Sequence, residues 1–166
     1  MAEDNLSRFR RALEELPGVA CWNVNAGAVG SMASLDLGER VLRDKPLPYP
    51  NPRLAPESHT HRGQYVLYVE DCPWRLDGPD AVIASWTDSN APDGPLITGM
   101  QGLMGAHIAA VDLISPGLDL IVQFDNDQIL RIFPDQVDPD AGDNYSLSVA
   151  GGPIFIVAAR STLYIE

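Results

Sequence analysis

Few residues in this sequence are able to do chemistry, and they fall in small groups whose spacing can be tested against what a reaction or a ligand demands. His59-Thr60-His61 would set two imidazoles on one side of an extended chain, which suits a single divalent cation. Completing the shell would fall to His107, to Cys21 or Cys72, or to a carboxylate such as Glu57 or Glu70, and no His-Glu-x-x-His pattern is present. Asp135, Asp138, Asp140 and Asp143 crowd one short segment, yet Gly142 stands where a calcium loop needs its third ligand and no later glutamate closes the shell. The segment reads as a solvated acidic loop. Spacing alone leaves cation binding at His59 and His61, or across residues 135–143, undecided.

Other signatures are incomplete in similar ways. Gly99 to Gly105, GMQGLMG, could offer amides to an anion, but it lacks the Gly-Lys-Ser/Thr ending of a phosphate loop and the helix that should follow. It reads as a glycine-rich turn whose Leu103 and Met104 cover part of the core. Gly30-Ser31-Met32 is not a nucleophile elbow, and Cys72 runs into Pro73-Trp74, a context for packing more than for an activated thiolate. No catalytic residue, cofactor or metal is assigned, and binding ranks above catalysis. Among the aromatic residues, Tyr65, Trp74 and Trp86 are the candidates for lining a ligand pocket inside a β-structure; the alternative for each is a place in the core with one polar partner.

The elements that must position these groups follow from periodicity. Leu6, Phe9, Leu13 and Leu16 recur at helical steps between Asp4 and Leu16, with Arg and Glu on the other side, so residues 4–16 predict an amphipathic helix capped by Asp4 or Asn5 and stopped at Pro17-Gly18. Residues 19–166 then predict a β domain. Residues 32–43 suggest two strands around a turn at Gly38-Glu39, and Tyr65 to Val69 carry apolar groups on both faces, as in a central strand covered on both sides. Further strands are expected over 74–76, 81–87, 107–114, 118–124, 128–133, 145–149, 154–158 and 162–165. Asp125-Asn126-Asp127 should close a hairpin. Two long loops, near 46–63 and 89–105, are the first places to look for a site. The fold class is mostly β within α+β: a single domain forming a β-sandwich or partly closed antiparallel barrel, with one N-terminal helix.

Composition limits the partners. Eleven Lys and Arg against 23 Asp and Glu leave a formal charge of −12 over 166 residues, a surface that would repel a nucleic-acid backbone. No stretch reaches the roughly 18 apolar residues a membrane span needs, and the charged N-terminus does not look like a secretory signal, so a cytoplasmic location is expected. The two cysteines fit neither a CxxC nor a zinc spacing and read as small buried apolar residues.

The strings GSMASLDLGE, GQYVLYVEDCPWRL, HIAAVDLISPGLDLIVQFDNDQILRIFPD and DNYSLSVAGGPIFIVAARSTLYIE resemble small bacterial β-proteins, some of them similar to immunity proteins of polymorphic toxin systems. That resemblance spans Gly30 to the C-terminus and carries no site residues. It implies an acidic inhibitor of a basic protein partner, for which Tyr49, Glu57, Asp135, Asp138, Asp140 and Asp143 are candidate contacts. Two alternatives stand beside it: a small-molecule-binding barrel or sandwich, and an assembly role through an exposed sheet edge.

Overall fold

The computed structural model describes residues 2–166. The amphipathic run folds as α1, Asn5–Glu14, capped by Asp4, whose carboxylate accepts the Ser7 N–H at 2.9 Å. That bond satisfies one of the amides a helix start leaves without a partner. The chain leaves through Gly18 at φ +88°, a left-handed position. Phe9, Leu13 and Leu16 are buried as their spacing requires, and Phe9 stacks on Phe155 with ring centroids 5.1 Å apart.

Eleven strands make up most of the rest: β1 Cys21–Ala26, β2 Ala33–Leu42, β3 His61–Val69, β4 Trp74–Asp77, β5 Val82–Ser85, β6 Ile108–Ile114, β7 Asp119–Phe124, β8 Ile129–Ile132, β9 Tyr145–Val149, β10 Ile154–Val157 and β11 Leu163–Ile165. They form two antiparallel sheets, of order β1-β2-β3-β9-β10-β11 and β5-β4-β8-β7-β6. The sheets pack as a β-sandwich around one continuous core, with Leu35, Leu67 and Leu147 pointing inward from the first and Trp74, Leu120, Val122 and Leu130 from the second. A short stitch joins them at one corner, where Ala20 bridges His107 and the Ile108 N–H donates to the Val19 carbonyl. Helix α1 lies against β11 and β6, and a second helix, α2, Pro95–Gln101, lies against β1 and β5. The two helices thus occupy opposite sides of the sandwich.

Several local expectations need correction. The second long loop contains α2: Leu96, Ile97 and Met100 are buried, and glycine content concealed the helix. Gly99 is required there by close approach, since a Cβ would sit 2.8 Å from the Ala84 Cβ on β5. Leu103 is buried as expected, but Met104 is exposed. Gly38-Glu39 does not separate two strands; β2 is continuous and carries a β-bulge between Leu37 and Arg40, with Gly38 at φ +78°. Strand β1 was not anticipated. Strand β3 is central, between β2 and β9, but it is covered on one face only, leaving Val66 and Tyr68 half-buried on the other.

The first long connection, residues 43–60, folds back over the outer face of the six-stranded sheet. Alternation points Asn23 and Asp36 outward, yet they are only 2% and 5% exposed. The Asn23 amide donates to Asp36 at 2.8 Å, and its oxygen accepts the Ala55 N–H at 2.9 Å. The other Asp36 oxygen accepts the Gly63 N–H at 2.7 Å, opposite the bulge in β2. Asp36 therefore serves the irregular strand pair directly and the strap above it through Asn23, so that both buried polar side chains have partners.

Candidate functional site

Two of the clefts draw polar side chains together from several elements. The first lies at the end of the sandwich where β3 leaves the sheet and the acidic segment crosses from β8 to β9. Its anchor is Asn144, fully buried. The Asn144 side-chain oxygen accepts the Gln136 N–H at 3.0 Å, its amide donates to the Ala158 carbonyl at 2.9 Å, and its backbone carbonyl accepts the Glu70 N–H. Gln136 extends the brace: its amide donates to Asp71 at 3.1 Å and its oxygen accepts the Val137 and Asp138 N–H groups. Asp138 in turn accepts the Asp140 N–H at 2.9 Å, a local turn that fixes the loop tip.

Between this loop and the Ala158–Thr162 turn opens a cleft of about 300 Å³, lined by Val137, Pro139, Ala141, Asp143, Ala158, Ala159, Arg160, Thr162 and Tyr164. Val137 and Tyr164 are more than half exposed. Arg160 and Ser161 both adopt left-handed backbone, at φ +55° and +54°, conformations that cost energy outside glycine and are held here by the Arg160 N–H donating to Gln136 and the Ser161 hydroxyl donating to Gly117. Among the described residues, Glu70, Asp71, Asp135, Asp138, Asp140 and Asp143 make no ion pair. Burial, with Asp143 and then Asp71 nearby, holds the Glu70 carboxyl above its ordinary range.

The second cleft lies on the outer face of the six-stranded sheet, beside the strap, and measures about 370 Å³. Its floor is the outward row of three strands: Ser34 and Asp36, Val66 and Tyr68, Ser146 and Ser148, with Ile154 beyond and Arg43 and Arg62 at one end. Nε of Arg43 donates to the Ser58 and His61 carbonyls at 3.0 and 3.1 Å. Nη2 of Arg62 donates to the Ser148 hydroxyl at 2.9 Å, and its Nε donates to the Gly63 carbonyl. Burial lowers the Arg62 pKa; Asp36 acts the other way, and Arg43 adds to the lowering.

The six expected partner contacts do not form one patch. Asp135, Asp138, Asp140 and Asp143 lie at the Asn144 end. Tyr49, 82% exposed, lies in the strap, and Glu57, paired with Arg40 at 3.7 Å, opens the 3₁₀ turn Pro56–His59 that precedes β3. The length of β3, about 30 Å, separates the groups. Tyr65 and Trp74 belong to the packed core, not to a pocket: the Trp74 indole donates to the Ser31 carbonyl at 2.8 Å and the Tyr65 hydroxyl to Glu15 at 2.8 Å. Trp86 is 45% exposed, on the outside. The aromatic trio thus lines no common cavity, because the two inward rings fill the space between the sheets.

His59 ends the 3₁₀ turn and His61 opens β3, so the chain between them is not the extended dipeptide the pattern supposed. Among the described residues no three His, Cys, Asp or Glu side chains gather as a metal shell. Arg75 pairs with Asp77 at 2.6 Å, which Arg131 also holds at 2.8 Å. Cys21 and Cys72 are buried thiols, both pushed up to about 12.

Arg43 and Arg62 were missed. The available signal was alternation: residues 62, 64, 66 and 68 share a face of β3, and Arg43 and Arg62 stand at the two mouths of the proline-rich connection. No family model, no curated protein and no solved structure matches this chain.

Proposed function

We propose that the protein is a binding protein whose acidic end docks a basic protein partner, in the manner of an immunity protein holding its toxin. One observation carries the reading: a cleft with Val137, Ala158 and Tyr164 on its walls is lined by Asp143 and lies beside the Asp138–Asp140 turn, and among the described residues none of these carboxylates makes an ion pair. A Lys or Arg of the partner can lay its aliphatic stem on the apolar wall and its charge against Asp143, while Asp138 and Asp140 steer the approach. Among the described residues Arg160 is the one cation lining the cleft and makes no ion pair, leaving it open to a carboxylate on the same partner. The brace through Asn144 supports the reading, because a pre-ordered loop loses little entropy on docking. The formal charge of −12 and the resemblance to immunity proteins point the same way.

The test is affinity capture with the protein and with the double variant Asp138→Asn/Asp143→Asn, at low and at moderate salt, followed by identification of what is retained. A basic protein held by the parent and lost from the variant is the expected outcome. Equal retention by both, or a partner indifferent to salt, would overturn the reading.

A further inference from the structure

The second cleft concerns a different face and a different kind of ligand. Arg43 and Arg62 carry two of only eleven basic side chains in a strongly acidic chain, and they converge on one site where, among the described residues, neither makes an ion pair. The carboxylate beside them, Asp36, has both oxygens engaged, by Asn23 and by the Gly63 N–H. The Ser58 carbonyl of the strap and the His61 carbonyl of β3 hold Arg43 by Nε alone, so both terminal nitrogens of its fork make no hydrogen bond among the described residues. Arg62 is pinned through Nε and Nη2, and its Nη1 makes no hydrogen bond among the described residues. Ser34 and Ser146, on the floor, also make no side-chain hydrogen bond among the described residues. An adjoining cleft, again lined by Arg43 and Arg62, brings in Lys45, with Asp44 the only acidic lining residue among the described residues.

We propose that this cleft binds a phosphate monoester of a small polyhydroxylated molecule. Two oriented guanidiniums match a doubly charged oxyanion, which accepts from several donors in the forked geometry arginine presents. The serine hydroxyls can take up hydroxyls of the ligand body, and Val66 and Ile154 supply the apolar surface beneath it. The volume suits a phosphate with a five- or six-carbon body and would be wasteful for a bare ion.

Isothermal titration and thermal shift with ribose 5-phosphate, inorganic phosphate, ribose and gluconate test the assignment. Saturable binding and a concentration-dependent rise in melting temperature with ribose 5-phosphate are expected, weaker with inorganic phosphate and absent with ribose. Arg43→Gln should weaken ribose 5-phosphate at least tenfold, and Arg43→Lys should weaken it measurably, since the point charge loses the fork. Ser146→Leu fills the floor while leaving both arginines in place and serves as the control against lost folding in Arg43→Gln; it should abolish binding with the circular dichroism spectrum unchanged. No saturable binding of any oxyanion, unchanged affinity in Arg43→Gln, or gluconate binding as tightly as ribose 5-phosphate would overturn the proposal.

Discussion

Glu70 shows how one side chain reports on the acidic end. Its carboxyl is held above the ordinary range first by burial and then by Asp143. The protonated form is therefore favoured in the folded state: the stability it contributes is complete below the ordinary carboxylate value and is lost as pH rises through the raised folded value. Replacing Asp143 by Asn should bring the Glu70 titration, followed by NMR, down toward the ordinary value without reaching it, because burial remains. The same variant should gain about 0.3 kcal/mol at neutral pH. On the proposed reading, a carboxylate whose removal stabilises the fold is what a surface kept for a partner would display. The four aspartates were legible in the sequence as a cluster, but Asn144 was not: a single asparagine between an aspartate and a tyrosine carries no spacing signal, and its importance comes from three segments distant in sequence that close around it. The arginines of the sheet cleft were hidden for a related reason, since a cleft floor is shared by strands whose order no single strand reveals.

Among the elements, strands with alternating burial and a capped amphipathic helix could be read because their periodicity is internal. Helix α2 could not, because its sequence PLITGMQ contains a glycine and a β-branched pair and its stability comes from what it packs upon. Gly99 is the decisive residue. Alanine there would improve helix propensity by about 1 kcal/mol, but its methyl would meet that of Ala84. Gly99→Ala should therefore destabilise the protein by about 1 kcal/mol or more, and Ala84→Gly in the same chain should recover part of that loss. Urea denaturation of the two single variants and the double variant measures the coupling. Purely additive losses would show that α2 and β5 do not meet at this point. The bulge in β2 was misread as a turn for the opposite reason: Gly38 has the conformation of a turn residue, but the pairing of β2 with β3 continues on either side of it.

At the scale of the molecule, the core is continuous from one sheet to the other, so its interior should open only when the sandwich does. Cys21 and Cys72 are markers of that property, being buried thiols pushed up to about 12. Ellman's reagent at neutral pH should find both inert in the native protein and both reactive in denaturant, with a labelling rate that follows global unfolding. Rapid labelling of either in the native state would mean that one side of the sandwich opens independently. The sheet margins have a consequence of their own. β11 is three residues long and β5 four, β1 is offset between Cys21 and Asn23, and β6 between Ile108 and Ala110. Margins so short or so kinked are poor templates for an incoming strand. On the proposed reading, a partner would then be met by side chains and not by backbone pairing, so the choice of companion would be open to rewriting one residue at a time while the scaffold is left alone.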